Sequence, residues 1–404
     1  MKIRIDTSPD KRLVFFIVVN IVALLLNNVV HNLPLPEAVD SLINIGLKVV
    51  VGMAFLAQTF VLLNRLNKHL LIFMAAAIFI IIINYSFFPE TKLYFRSTIV
   101  SFFTFCMTAY LVIYSINDFD LLRKELIKAS YFISVILFLF SIATFLGIIN
   151  FDTYDMAFGY HCLFPSMILL LEYIQNRKFI TLVAILVMIV SIILFGSRGP
   201  LAALVLFGMF FFIRSLIQKK KYWQVSLISV SAVGLLLSYR YIFIFIGDFM
   251  RSQGMYSRTV ALLSGETVYL SKRDELYDVL ISYIVDDPLT VRGINAEWLL
   301  FNSYAHNIIL ELLYQLGFII GGIVLVYIGG RAWKTLTFKE LDSKKVFCIV
   351  LMFSSLLPLL VSASLWTNQM FWMWMAMCAN IAKNHNKVDL RNNSQINPLP
   401  ADGD

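Results

Sequence analysis

Residues 303 to 326 read SYAHNIILELLYQLGFIIGGIVLV. A histidine, an asparagine and a glutamate stand at the mouth of a long apolar run, directly after the longest polar stretch of the chain. The run is long enough to cross a hydrocarbon layer about 30 Å thick as a helix. Similar runs repeat almost end to end, at roughly 13–30, 41–63, 69–84, 97–116, 127–149, 157–174, 179–196, 200–217, 224–247, 306–330, 346–364 and 368–382. The expected fold is therefore an all-α polytopic membrane protein with about twelve transmembrane helices.

Composition agrees with that reading. Of 404 residues, 59% are hydrophobic and 14% charged, whereas charged residues make up about a quarter of a soluble domain. No separate soluble domain fits between the runs, so residues 1–404 form a single integral membrane domain. A net charge of +8 would suggest nucleic acid in a soluble protein. Here the cations crowd short connections, where they set orientation, and nucleic-acid binding is not expected. Cys106, Cys162, Cys348 and Cys378 lie inside apolar runs without paired spacing, which argues against a disulfide framework or a metal cluster.

A cytoplasmic, basic N-terminus makes the connections alternate and retains the first run as a span. Both termini then face the cytoplasm, with residues 383–404 as a disordered cytoplasmic tail. Two arginine-bearing segments fall outside under that parity: the GSRG turn at 196–199, and the long loop 248–305 with Arg251, Arg258, Arg273 and Arg292. Lys92 and Arg96 are a milder exception. A miscount by one span would invert the assignment. Otherwise, these arginines serve something other than topology.

Within the loop, Leu276, Val279, Leu280, Tyr283 and Ile284 recur at helical spacing. Ser271 is placed to cap that helix, Asp274 follows three residues on, and Pro288 follows its end. An amphipathic helix lying over the membrane domain is expected. Arg273 falls in its first turn, where the helix dipole disfavours a cation unless an anionic partner is present, either a ligand or a carboxylate.

Asn307, Glu311 and Tyr314 share one helical face, with His306 beside it. An ionisable residue within a span usually faces the protein interior or a water-filled cavity, so Glu311 reads equally as a functional group or a buried structural one. His306 alone would read as an interfacial histidine. Lys48, Glu172 and Arg240 lie inside other spans; the first two fit snorkelling or pairing, and Arg240 fits either an anionic headgroup or the outer interface. Arg198 alone would read as a cation on the carbonyls ending the preceding span.

Taken in order, FGSRGPLAAL (195–204), KRDELYDVLISYIVDDPLTVRGIN (272–295) and the opening stretch resemble the O-antigen ligase and Wzy-type polysaccharide polymerase superfamily of bacterial envelope glycosyltransferases. The resemblance covers roughly 196–322. Asp287 stands where the family has asparagine before Pro288, and Arg292 precedes Gly293, which leaves the role of that turn open. The resemblance implies glycosyl transfer from an undecaprenyl-diphosphate-linked oligosaccharide on the outer face of the bacterial cytoplasmic membrane, with inversion and without metal or cofactor. The acceptor is a lipid-linked repeat unit for a polymerase, the branch these motifs look closer to, or lipid A core for a ligase.

Guanidinium groups suit a diphosphate and a neutral imidazole suits the acceptor's proton. Arg198 and Arg273, then Arg240, are the candidate phosphate binders. His306 is the candidate base, with Glu311 or Asn307 orienting it or the acceptor sugar. Expected partners are membrane lipid and, in the same pathway, a chain-length regulator and a flippase. A transporter or flippase is the rival class; it would need an inverted repeat, which the sequence does not display.

Overall fold

The computed structural model describes residues 8–31, 33, 35–146, 156–195, 198–220, 241, 244–249, 251–252, 260, 264 and 273–396, with the side chains of 156, 157, 195, 198 and 384–396 excepted. Among the described residues the chain is helical, with no strand. The helices are α1 (Pro9–His31), α2 (Glu37–Leu56), α3 (Thr59–Asn64), α4 (Lys68–Phe87), α5 (Lys92–Ser101), α6 (Thr108–Ser115), α7 (Phe119–Phe145), α8 (Met156–Asn176), α9 (Phe179–Phe195), α10 (Arg198–Gln218), α11 (Arg273–Asp286), α12 (Trp298–Phe301), α13 (Ile308–Leu336), α14 (Ser343–Val361) and α15 (Gln369–Ile396). Among the described residues, eight segments are long and apolar enough to cross a membrane, two of them composite: α2 with α3, and Pro89–Ser115, where a π-helical turn at Phe102–Met107 joins α5 to α6. This is an α-helical membrane protein. Helices closing their own backbone hydrogen bonds are the solution that lipid demands.

Helices stand at every expected span except 224–247, which lies mostly outside the described residues. Helix α9 is apolar but shorter, and α15 is more polar than the eight. Helix α15 continues to Ile396, into the segment read as a tail. Short polar residues set the starts: Asn67, Asp118 and Asp342 each accept a backbone N–H of the first turn of α4, α7 and α14.

Helix α14 is the hub of the bundle, with Cys348, Ile349, Val350, Leu351 and Leu359 fully enclosed among α7, α8, α10, α13 and α15. Helix α4 is its opposite, burying only Leu70, Ala77 and Asn84 and turning isoleucines outward on its other sides. A lipid-facing helix can afford such a surface; a water-facing one cannot.

The intramembrane charges divide accordingly. Glu172 pairs with Arg123 at 3.5 Å and Lys178 at 3.9 Å, and accepts from Asn176. Lys48 lies exposed on α2.

The stretch 306–330 is not one continuous helix. Helix α13 breaks at Gly317, which has φ 71° and ψ 169°. The loop after α11 fills the break: the N–H groups of Arg292 and Gly293 both donate to the Gln315 carbonyl at 3.0 Å, and that of Phe318 donates to the Pro288 carbonyl at 2.7 Å. A Cβ on Gly317 would stand 2.9 Å from the Leu289 carbonyl oxygen, so the close approach needs glycine as much as the φ does. The Pro288–Gly293 turn thus replaces the hydrogen bonds that the broken helix gives up.

Candidate functional site

The loop helix forms over Arg273–Asp286, within the expected stretch. Leu276, Leu280 and Ile284 are its buried stripe, packed with Tyr314, Ala296 and Ala305 against the first turns of α13. Val279 and Tyr283, expected on the same face, are partly exposed at its edge. Ser271, the expected cap, lies outside the described residues.

Arg273 opens this helix, and its cost at a helix N-terminus is met by an unforeseen partner. Its Nη1 donates to the Val361 carbonyl at 2.6 Å, the last residue of α14, so the cation sits where the negative end of a dipole gathers. From there it acts electrostatically on His306, Tyr304 and Tyr277.

His306 is held in the left-handed region at φ 56°, in the turn that starts α13. Its Nε2 pairs with Ser303 Oγ at 3.3 Å, and its ring packs against Tyr304 with centroids 4.1 Å apart. Tyr304 in turn donates to the Ser362 carbonyl at 2.8 Å, and Tyr277 donates to the His306 carbonyl at 3.4 Å. Burial, then the Arg273 charge, pushes the imidazole down to about 4, with the nearby Ser362 backbone working the other way. The ring is neutral at physiological pH. Burial raises Tyr304 and Tyr277, and Arg273 partly offsets both.

Asn307 is the N-cap of α13, its Oδ1 accepting from Ile309 N at 2.9 Å and Leu310 N at 3.3 Å. Glu311 is fully buried and accepts from the Ser364 hydroxyl at 2.5 Å and the Leu365 N–H at 3.1 Å. These bonds tie α13 to the turn between α14 and α15. The imidazole is positioned by Ser303 and Tyr304, while Glu311 and Asn307 spend their oxygens elsewhere.

A second carboxylate is buried on the segment that leads to the histidine. Glu297 is fully buried; its Oε2 accepts from Gln315 Nε2 at 2.8 Å, and Gln315 Oε1 accepts from Trp366 Nε1 at 2.8 Å. Glu297 Oε1 is buried without a hydrogen-bond partner, and burial raises its carboxyl above the usual range. Sequence reasoning passed over Glu297 because an acid in a loop is ordinary; the apolar INAEWLLF around it was the available signal.

The remaining candidates separate. Arg292 lies over Tyr314 at 5.0 Å and donates to the Tyr283 and Asp287 carbonyls, closing the C-terminus of α11. Helix α10 begins at Arg198, whose side chain lies outside the described residues. At its other end, Arg214 donates to the Phe338 and Lys339 carbonyls just beyond α13. The Arg198 end of α10 therefore shares a face of the bundle with the His306 end of α13. Arg240 lies outside the described residues. Compared with protein-family models, with curated proteins and with solved structures, the chain finds no match.

Proposed function

We propose that this protein is a bacterial envelope glycosyltransferase, a polysaccharide polymerase that transfers glycan from an undecaprenyl-diphosphate carrier to a lipid-linked repeat unit at the extracytoplasmic face. The observation that carries the reading is the pairing of a neutral imidazole, His306, with a guanidinium, Arg273, at one end of a membrane bundle. The motif resemblance over 196–322 supplies the substrate class, and the sequence-based expectation of about twelve spans with a large outer loop supplies the side.

In this mechanism Arg273, with Arg198 from the same face, binds the diphosphate oxygens. The acceptor hydroxyl oxygen attacks the anomeric carbon, and the bond from that carbon to the diphosphate breaks with its electron pair on phosphate. His306 takes the hydroxyl proton. An imidazole held at about 4 is a weak base in the resting protein. Bound diphosphate offsets the Arg273 charge and brings the ring back toward its ordinary basicity, so base strength arrives with the donor.

Deletion of the gene tests the reading on a gel of surface glycan. A polymerase leaves a single attached repeat unit, and a ligase, which shares the chemistry, leaves none. Unchanged chain length and attachment rule out both.

A further inference from the structure

Glu297 takes no part in the proposed transfer, yet its hydrogen bonds determine where it can carry a proton. It stands at the start of α12, between the Pro288–Gly293 turn and His306, and is 0% exposed.

The direction of each bond around it is fixed from one end. The Trp366 indole can only donate, and its Nε1 reaches Gln315 Oε1 at 2.8 Å. That contact settles which end of the Gln315 amide is oxygen. The Nε2 group turned toward Glu297 is then a donor, 2.8 Å from Oε2. Oε2 is an acceptor and carries no proton, so any proton on this carboxyl sits on Oε1, the oxygen with no hydrogen-bond partner.

The ionised form has nothing to balance it. Among the described residues no lysine, arginine or histidine forms an ion pair with Glu297. Helix α13 brings the Gln315 amide, the Tyr314 phenol packed with Ala296, and Glu311, one turn before Gln315 on the same face and also 0% exposed. The α14–α15 turn brings the neutral Trp366 indole. The Pro89–Thr91 turn packed on α12 holds Glu90, which is exposed; beyond it Lys92 lies over the Tyr85 ring at 4.7 Å, and Tyr94 stacks on Trp298. Arg292, the cation of the adjoining turn, is directed to the Tyr283 and Asp287 carbonyls and to the Tyr314 ring. A buried carboxylate here would lack both a counter-charge and a full set of donors, whereas the neutral acid leaves one hydroxyl unmatched. Burial pushes the carboxyl up to about 7, with the Gln315 bond working the other way.

We propose that Glu297 is a proton-binding site: it holds a proton on Oε1 in the folded protein and releases it as the medium turns alkaline, when the buried charge loosens the seat of α12 on α13. Gln315 links the two effects. Its side chain holds Glu297, and its carbonyl holds the Arg292 and Gly293 N–H groups at 3.0 Å across the break in α13.

The test is an infrared titration of the full-length protein in detergent. Exposed carboxylates are ionised above about pH 5.5, so the carbonyl stretch of a protonated acid above that pH belongs to buried groups. The wild type should show such a band titrating away around pH 7, and E297Q, which mimics the neutral acid, should lack it. E311Q should keep it. No titrating band in the wild type overturns the proposal, and so does a band unchanged in E297Q or lost only in E311Q. Stability supplies a second readout. The folded carboxyl lies above the ordinary 4.5, so its stabilising contribution is full below 4.5 and is lost as pH rises to about 7. Over that window the unfolding equilibrium of the wild type should shift toward unfolding by roughly a hundredfold relative to E297Q, then level off. A constant difference between the two proteins overturns the proposal as well. Neither readout involves glycan transfer, so both are independent of the proposed activity.

Discussion

Arg273 and Val361 join two helix ends of opposite sign, the guanidinium from the start of α11 meeting the last carbonyl of α14 at 2.6 Å. The contact holds the cation beside His306, so one side chain docks the loop helix and sets the charge environment of the imidazole.

Replacing Arg273 separates those effects. Arg273→Gln is expected to lower glycan transfer by about tenfold to a hundredfold, the range of a lost charge-assisted hydrogen bond to a charged partner. Arg273→Lys keeps the charge without the fork and should fall between. Turnover with purified lipid-linked repeat units checks both, and wild-type rates in Arg273→Gln would remove this residue from the phosphate site.

The pH profile follows from the depressed imidazole. For free enzyme, kcat/KM should hold steady as pH falls to about 5 and decline only toward about 4, where His306 takes up its proton. The acid limb of kcat should lie higher, because bound diphosphate favours the imidazolium. In Arg273→Gln the kcat/KM limb should move up toward 6.5, the ordinary value.

Stability carries the same sign. Because the folded imidazole sits below its ordinary 6.5, the unfolded chain takes up the proton first as pH falls. The His306 contribution is present above 6.5 and is lost between about 6.5 and about 4. Thermal unfolding of wild type and His306→Gln in detergent should diverge above pH 6.5 and converge toward pH 4.

Gly317→Ala forces a Cβ to 2.9 Å from the Leu289 carbonyl oxygen at a φ of 71°. A loss of about 1–3 kcal/mol is expected from the backbone strain. Gly322→Ala, with nothing within 4 Å of its Cβ, should stay within about 0.5 kcal/mol. Equal melting temperatures for the two variants would mean that the break relaxes without the Pro288 turn.

Glu311→Ala leaves the Ser364 hydroxyl and the Leu365 N–H buried and unanswered, at about 1–3 kcal/mol. Glu311→Gln keeps an acceptor oxygen and should recover most of that loss. If Glu311→Gln folds normally yet abolishes transfer, the carboxylate is more than a tie between α13 and the α14–α15 turn.

The spans were legible because lipid imposes length and apolarity residue by residue, and α11 because Leu276, Leu280 and Ile284 keep helical register. The break at Gly317 was not, since glycine is ordinary in membrane helices and only the distant Pro288–Gly293 turn shows what this one accommodates. At the site, His306 and Arg273 stood out as polar groups at helix mouths. The duties of Asn307 and Glu311 depended on partners that no local spacing reveals, the first on N–H groups freed by the turn at His306 and the second on Ser364, 53 positions away. Glu297 and Gln315 form a pair for the same reason.

Residues 288–293 are wedged into the gap of α13, their amides and carbonyls bound to its severed ends. Raising this strap would strand those groups in an apolar surrounding, at several kcal/mol each. The segment behaves as a fixed wedge that joins the two halves of α13 and not as a hinged cover.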